Sequence, residues 1–177
     1  LRRIHKRGHE IGLHPSYDAY LDPSQMAAEA NYLHMICANQ GISQSMWGGR
    51  MHYLRWQWPT TAYGWQQVGY QYDTTLGFPE IPGFRCGTCH PYSMFDPVAK
   101  CELHLIERPL IVMESSLISD SYLGLGIGTK SFDIINELIN RCRYVAGQFT
   151  LLWHNDSLVT SQEKSFYCDV LHSACRL

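Results

Sequence analysis

Near the start of the chain, the run Gly8-His9-Glu10-Ile11-Gly12-Leu13-His14-Pro15-Ser16 reads as a helix end turning into a buried strand that delivers a histidine and a hydroxyl. The carboxyl ends of strands are where α/β barrels assemble their chemistry. A neutral imidazole there suits Zn²⁺ and similar ions, which makes His14 the leading metal-ligand candidate. One histidine is not a site, because structural zinc takes about four ligands and catalytic zinc about three plus water. His154 ends a second hydrophobic run, Phe149-Thr150-Leu151-Leu152-Trp153. Taken by itself, a histidine in that position is a satisfied structural residue. Cys86-Gly87-Thr88-Cys89-His90 matches the covalent haem attachment pattern. It lies in a Gly/Pro-rich loop of an α/β chain, so no haem is expected. A zinc ribbon would need a second C-x-x-C, and a redox dithiol a strand-to-helix setting.

The elements that must position these residues follow from periodicity and caps. Leu1 to Arg7 reads as the last turns of a helix capped by Gly8, and His9 to His14 as a buried strand. Asp22 and Pro23 suit the start of a helix whose apolar positions Met26, Ala27, Ala30, Leu33, Ile36 and Cys37 recur at helical spacing before Gly41. Ser45 to Gly48 is a short strand candidate, Thr60 to Val68 a helix, and Tyr70 to Thr74 a strand entered through Gly69. From Leu76 to Lys100 no period is sustained, which predicts a long ordered loop with a short strand near Phe84. Leu103 to Ile106 and Leu110 to Met113 are β-like runs separated by Pro109, which argues for an edge position or a turn. A further helix is capped by Ser131, lined by Ile135, Leu138, Ile139, Cys142 and Val145, and stopped by Gly147. Phe149 to Trp153 is then a buried strand. Thr160 with Glu163 forms a capping box for a last helix burying Phe166, Val170 and Leu171. Strands alternating with helices imply a mostly parallel sheet with right-handed crossovers.

The ordered motifs resemble those of the polysaccharide deacetylase superfamily, the NodB homology domain, over about Leu1 to Leu158. The His9-to-His14 stretch is similar to its second motif, Arg50-Met51-His52-Tyr53 to a variant of its third, and Phe149 to Asn155 to its fifth. Tyr72-Asp73-Thr74-Thr75-Leu76-Gly77-Phe78 and Gly83-Phe84-Arg85-Cys86-Gly87-Thr88-Cys89 are similar to a subgroup associated with surface-polysaccharide clusters. The resemblance implies an incomplete, distorted (β/α) barrel with one side open. It implies a divalent metal, zinc above others, held by His14 with Asp18 where the family places a second histidine, and with His52 as an alternative ligand. Asp18 otherwise caps a turn, and His52 is otherwise a turn histidine. His154 would be the general acid that protonates the leaving amine, with Asp73 or Arg50 orienting it or balancing charge. Arg85, Tyr53 and Trp153 would contact substrate, although Arg85 could equally tie its loop down. The family's first motif, with its paired aspartates, would lie upstream of Leu1. The chain as given is thus expected to be a single N-terminally truncated domain over 1–177, inactive or weak.

Composition narrows the partners. The chain has 177 residues, 45% of them hydrophobic, and a net charge of −2 without a basic run, so nucleic acid is a poor partner. No stretch approaches the length of a membrane span, and no targeting signal is read at the start, where leucine suits a processed, trimmed or partial chain. Seven cysteines without framework spacing favour a reduced, cytoplasmic protein. Carbohydrate is the expected ligand, an N-acetylated sugar whose amide is hydrolysed. The alternative is a non-catalytic carbohydrate-binding or assembly module that uses Tyr53, Trp56, Trp58, Tyr63, Trp65 and Tyr92 for stacking. A third reading has the open sheet edge pairing with another chain.

Overall fold

A computed structural model describes residues 1–175, which fold as two compact units. The first comprises Leu1–Leu76 and Pro91–Arg108, and the second Gly77–His90 with the described residues from Pro109 onward.

In the first unit a short helix α1 (Arg2–His5) precedes the long α2 (Pro23–Asn39). Asp22 caps α2 by accepting from the Ser24 and Gln25 N–H groups, and Pro23 occupies the first helical position, where its absent N–H has no role. Strand β1 (Gly48–Gly49), helix α3 (Thr60–Gln67), β2 (Tyr72–Asp73), β3 (Tyr92–Asp96) and β4 (Cys101–Glu107) complete it. The sheet order is β1-β2-β4-β3, parallel except for β3, and Leu13 adds a parallel bridge on the outer side of β1. The expected strand His9 to His14 reduces to that bridge. Only Ile11 and Leu13 are buried between exposed neighbours, so one face is packed and the other is wet.

The glycines of β1 permit the close layering. A Cβ on Gly49 would collide with the Leu13 carbonyl and lie 2.8 Å from the Trp65 ring. Trp65 is fully buried and stacks on Tyr70, in a core with Leu13, Met26, Met51, Leu103 and Leu105. Tryptophan buries more area than any other side chain, which is why Trp65 serves packing and not sugar stacking.

Strand β3 falls where a loop was predicted. Its partner β4 is consequently an inner strand, not an edge one, and Pro109 follows it outside the ladder. Asp96 secures the hairpin turn by accepting from the Val98 and Ala99 N–H groups and from the Tyr63 hydroxyl, which is the main cause of a carboxyl held below the usual range.

The second unit holds β5 (Val112–Met113), α4 (Glu114–Ile118), α5 (Thr129–Tyr144), β6 (Leu151–Leu152) and α6 (Ser161–Ala174), with β5 and β6 parallel. Ile135, Leu138, Ile139 and Cys142 of α5 form its buried face, while Val145 is exposed. Ser131 is buried in the first turn and donates to the Gly126 carbonyl, so Gly128 holds the cap position instead. Ala146, not Gly147, takes the left-handed φ of 52° that ends the helix. Gly147 is needed for room, since a Cβ there would meet the Cys89 sulfur. The capping box of Thr160 and Glu163 is present at α6, which buries Phe166 and Val170 but leaves Leu171 exposed. Phe84 lies in no strand, and β6 is half-buried.

The architecture is mixed α/β with mostly parallel strands, and among the described residues the sheets do not close into a barrel. No helix among them is long and apolar enough to cross a membrane. All seven cysteines are unbridged.

Candidate functional site

Parallel strands all point one way, so the residues following them gather at one end of the sheet. The Leu13 N–H bonds the Gly48 carbonyl, Arg50 N–H the Leu13 carbonyl, Thr74 N–H the Gly49 carbonyl and Arg108 N–H the Asp73 carbonyl. That ladder delivers His14, Arg50 with His52, and Thr74 with Thr75 to the same end.

There the two histidines meet. His14 Nδ1 lies 2.8 Å from the Arg50 carbonyl oxygen, and His14 Nε2 lies 3.0 Å from His52 Nδ1. A carbonyl only accepts, so His14 carries its proton on Nδ1 and turns the Nε2 lone pair toward His52. His52 Nδ1 therefore either donates a proton to that lone pair or shares a cation with it. A backbone carbonyl on the far nitrogen is the usual way a protein fixes the tautomer of a metal-binding histidine. With Zn–N distances near 2.0–2.1 Å, tetrahedral ligands lie about 3.3 Å apart, a few tenths beyond the 3.0 Å found between these nitrogens. The separation is that of a hydrogen bond between the two rings. Among the described residues no group of three or more His, Cys, Asp or Glu side chains comes together to hold a metal.

Asp18 is engaged elsewhere. Its carboxylate, 76% exposed, accepts from Arg55 Nη1 at 3.1 Å. The Arg55 guanidinium lies between the rings of Tyr17 and Tyr20, 3.9 and 4.0 Å from their centroids, and also donates to the Tyr17 carbonyl and the Tyr20 hydroxyl. Tyr53, 74% exposed, follows His52 with a positive φ of 56°, and Leu54 repeats it at 53°. Left-handed conformations cost non-glycine residues about 1–2 kcal/mol each, and such strain clusters at functional sites.

Arg50 clasps the ends of β1 and β2, donating from Nε to the Thr74 carbonyl and from Nη2 to Thr74 Oγ1, both at 2.8 Å. Asp73 is fully buried and accepts from the Thr75 N–H and hydroxyl at 2.8 and 2.6 Å. Its carboxyl is raised above its usual range by burial, against the opposing influence of hydrogen bonds from Glu107 and Thr75 and the charge of Arg50. Asp73 and Glu107 are register partners on β2 and β4, so two buried carboxyl groups share one small space. A proton between them removes the like-charge repulsion.

The second unit repeats the strand-end logic. Glu114 directly follows β5, and His154 follows β6 after one intervening residue, Trp153. Glu114, 1% exposed, accepts through one carboxylate oxygen from His154 N–H at 2.9 Å, from Nδ1 at 2.6 Å and from the Ser157 hydroxyl at 3.1 Å. The Ser115 hydroxyl is 3.2 Å from the same oxygen and 3.3 Å from His154 Nδ1. The carboxylate fixes the Nδ1–H tautomer and leaves Nε2 of a 42% exposed side chain to exchange a proton. Glu114 orients His154. Sequence reading missed it, although a carboxylate immediately after the apolar run Leu110 to Met113 stands where His154 stands after its own run.

The remaining candidates serve their surroundings. Arg85 donates to the Gly77 carbonyl at 2.9 Å and ties its own loop. Trp153 donates to the Ser157 carbonyl at 3.2 Å and packs on Phe166 and Tyr167. Cys89 is buried against Cys142, whose thiol is pushed up to about 12, by burial first and then by its neighbour Cys89. Such thiols are inert packing groups.

No protein-family model matches the chain, and a search of curated proteins finds no significant relative. The functional reading accordingly rests on the geometry and on the motif resemblance.

Proposed function

We propose that the chain is a metal-dependent hydrolase-like protein of the carbohydrate N-deacetylase kind, built on an incomplete barrel, with weak or no activity of its own toward the amide of an N-acetylated sugar. The observation that carries this reading is the facing pair of histidine nitrogens, with His14 held in its ligand tautomer by the Arg50 carbonyl. His14 and His52 would supply two of the roughly three protein ligands that a catalytic zinc takes. The bound metal would supply Lewis acidity toward the amide carbonyl and toward water. The motif resemblance gives His154, which Glu114 keeps in one tautomer, the part of proton donor to the departing amine. Asp18 ion-pairs with Arg55 beside the site.

The test is acetate release from an N-acetylated hexosamine oligomer with zinc supplied. The reading expects release that is abolished in His14→Ala and reduced at least about a hundredfold in His154→Ala, in line with the usual contribution of a general acid. Release unaffected by either change refutes it, as does a parent chain that neither binds zinc nor releases acetate. A second reading, a non-catalytic carbohydrate-binding module, draws on the exposure of Tyr53 and Tyr17. It gains ground if sugar binds and no acetate appears.

A further inference from the structure

Two exposed tyrosines stand beside the histidine pair at right angles to each other. The Tyr17 and Tyr53 rings are 5.5 Å apart at 81°, and each meets His52 edge-on, at 6.3 and 4.7 Å. Tyr17 is 51% and Tyr53 74% exposed, so both rings offer surface to solvent. Neither is left to drift. Arg55 fills the gap between Tyr17 and Tyr20, and Asp18 holds Arg55 in place. Tyr53 is presented by two consecutive left-handed residues, a conformation that packing alone does not require of an exposed side chain.

The face of an aromatic ring is electron-rich, and the C–H groups on one face of a pyranose carry partial positive charge, so the two surfaces stack. Perpendicular rings make a corner that meets both the face and the rim of a sugar. We propose that Tyr17 and Tyr53 form a pyranose-stacking subsite beside His14 and His52, taking a sugar unit adjacent to the one whose amide is cleaved, with Arg55 as its positioning residue. The proposal rests on the carbohydrate reading above and adds to it a requirement for an oligomeric substrate.

The experiment titrates zinc-supplied protein with the tetramer and the monomer of N-acetylglucosamine, followed by ligand-observed NMR. Tyr17→Ala and Tyr53→Ala should each weaken tetramer binding by about fivefold to tenfold, the size of one lost stacking contact. Tyr53→Phe, which keeps the ring, should stay within about twofold. Arg55→Lys keeps the charge for Asp18 but loses the planar stack, and should weaken the tetramer while leaving the monomer and zinc binding unchanged. A general loss of structure would weaken all three. Tetramer binding that is insensitive to Tyr17→Ala and Tyr53→Ala, or variants that weaken monomer and tetramer equally, overturns the subsite and leaves the carbohydrate reading standing. A wild-type protein that binds neither sugar overturns both.

Discussion

Two imidazole nitrogens 3.0 Å apart cannot both present bare lone pairs to each other, so what lies between His14 and His52 is a proton or a cation. The Arg50 carbonyl decides which nitrogen of His14 is involved, because it accepts the Nδ1 proton and leaves Nε2 for the shared contact. Without metal, long-range ¹H–¹⁵N spectra should show His14 in its Nδ1–H form, and an Nε2–H form would contradict the arrangement. His154 is fixed by the same device with a carboxylate in place of a carbonyl. Because Glu114 is buried and one of its oxygens collects both contacts from His154, Glu114→Gln should lower stability by roughly 2 kcal/mol in urea denaturation. A change below about 0.5 kcal/mol would mean that the carboxylate is idle.

Short parallel strands do the positioning, and their shortness explains what could be read beforehand. The helices were legible because α2 and α6 carry their caps in the sequence and α5 repeats its apolar residues at helical spacing. His14 and His154 were legible as strand-end residues because apolar runs precede them. Strand β3 was not, since a register shift between Ser93 and Phe95 breaks the alternation that marks a strand. Glu114 was not, because its partner depends on β5 lying beside β6, a pairing that no local pattern encodes. Asp18, read either as a metal ligand or as a turn cap, is ion-paired with Arg55, which comes from a turn 37 residues away and so could not be foreseen locally. At this scale the glycine strand is the sensitive point. Gly49→Ala would push a methyl into the Leu13 carbonyl and the Trp65 ring, and should cost about 3 kcal/mol in chemical denaturation. Asp22→Ala should cost about 1 kcal/mol through loss of the α2 cap. Equal effects of the two substitutions would refute the close layering of β1.

For the molecule as a whole, the buried Asp73 and Glu107 pair links stability to pH. Asp73 binds its proton more tightly in the folded chain than in the unfolded one, because burial opposes its charge more than Arg50, Thr75 and Glu107 favour it. The corresponding stability is fully present below the ordinary carboxylate value near 4 and is lost as pH rises through the raised folded value. Asp73→Asn keeps the shape without the titration, so its melting temperature should fall less than that of the parent over that interval. Parallel pH profiles for the two proteins would show that Asp73 does not govern the slope.

Zinc titration by calorimetry, with elemental analysis of the dialysed complex, bears most directly on the central claim. The predicted result is one zinc per chain in the parent and in Asp18→Ala, and none in His14→Ala or His52→Ala. Zinc retained without either histidine, or lost with Asp18 alone, would contradict the assignment of the metal to the His14 and His52 pair.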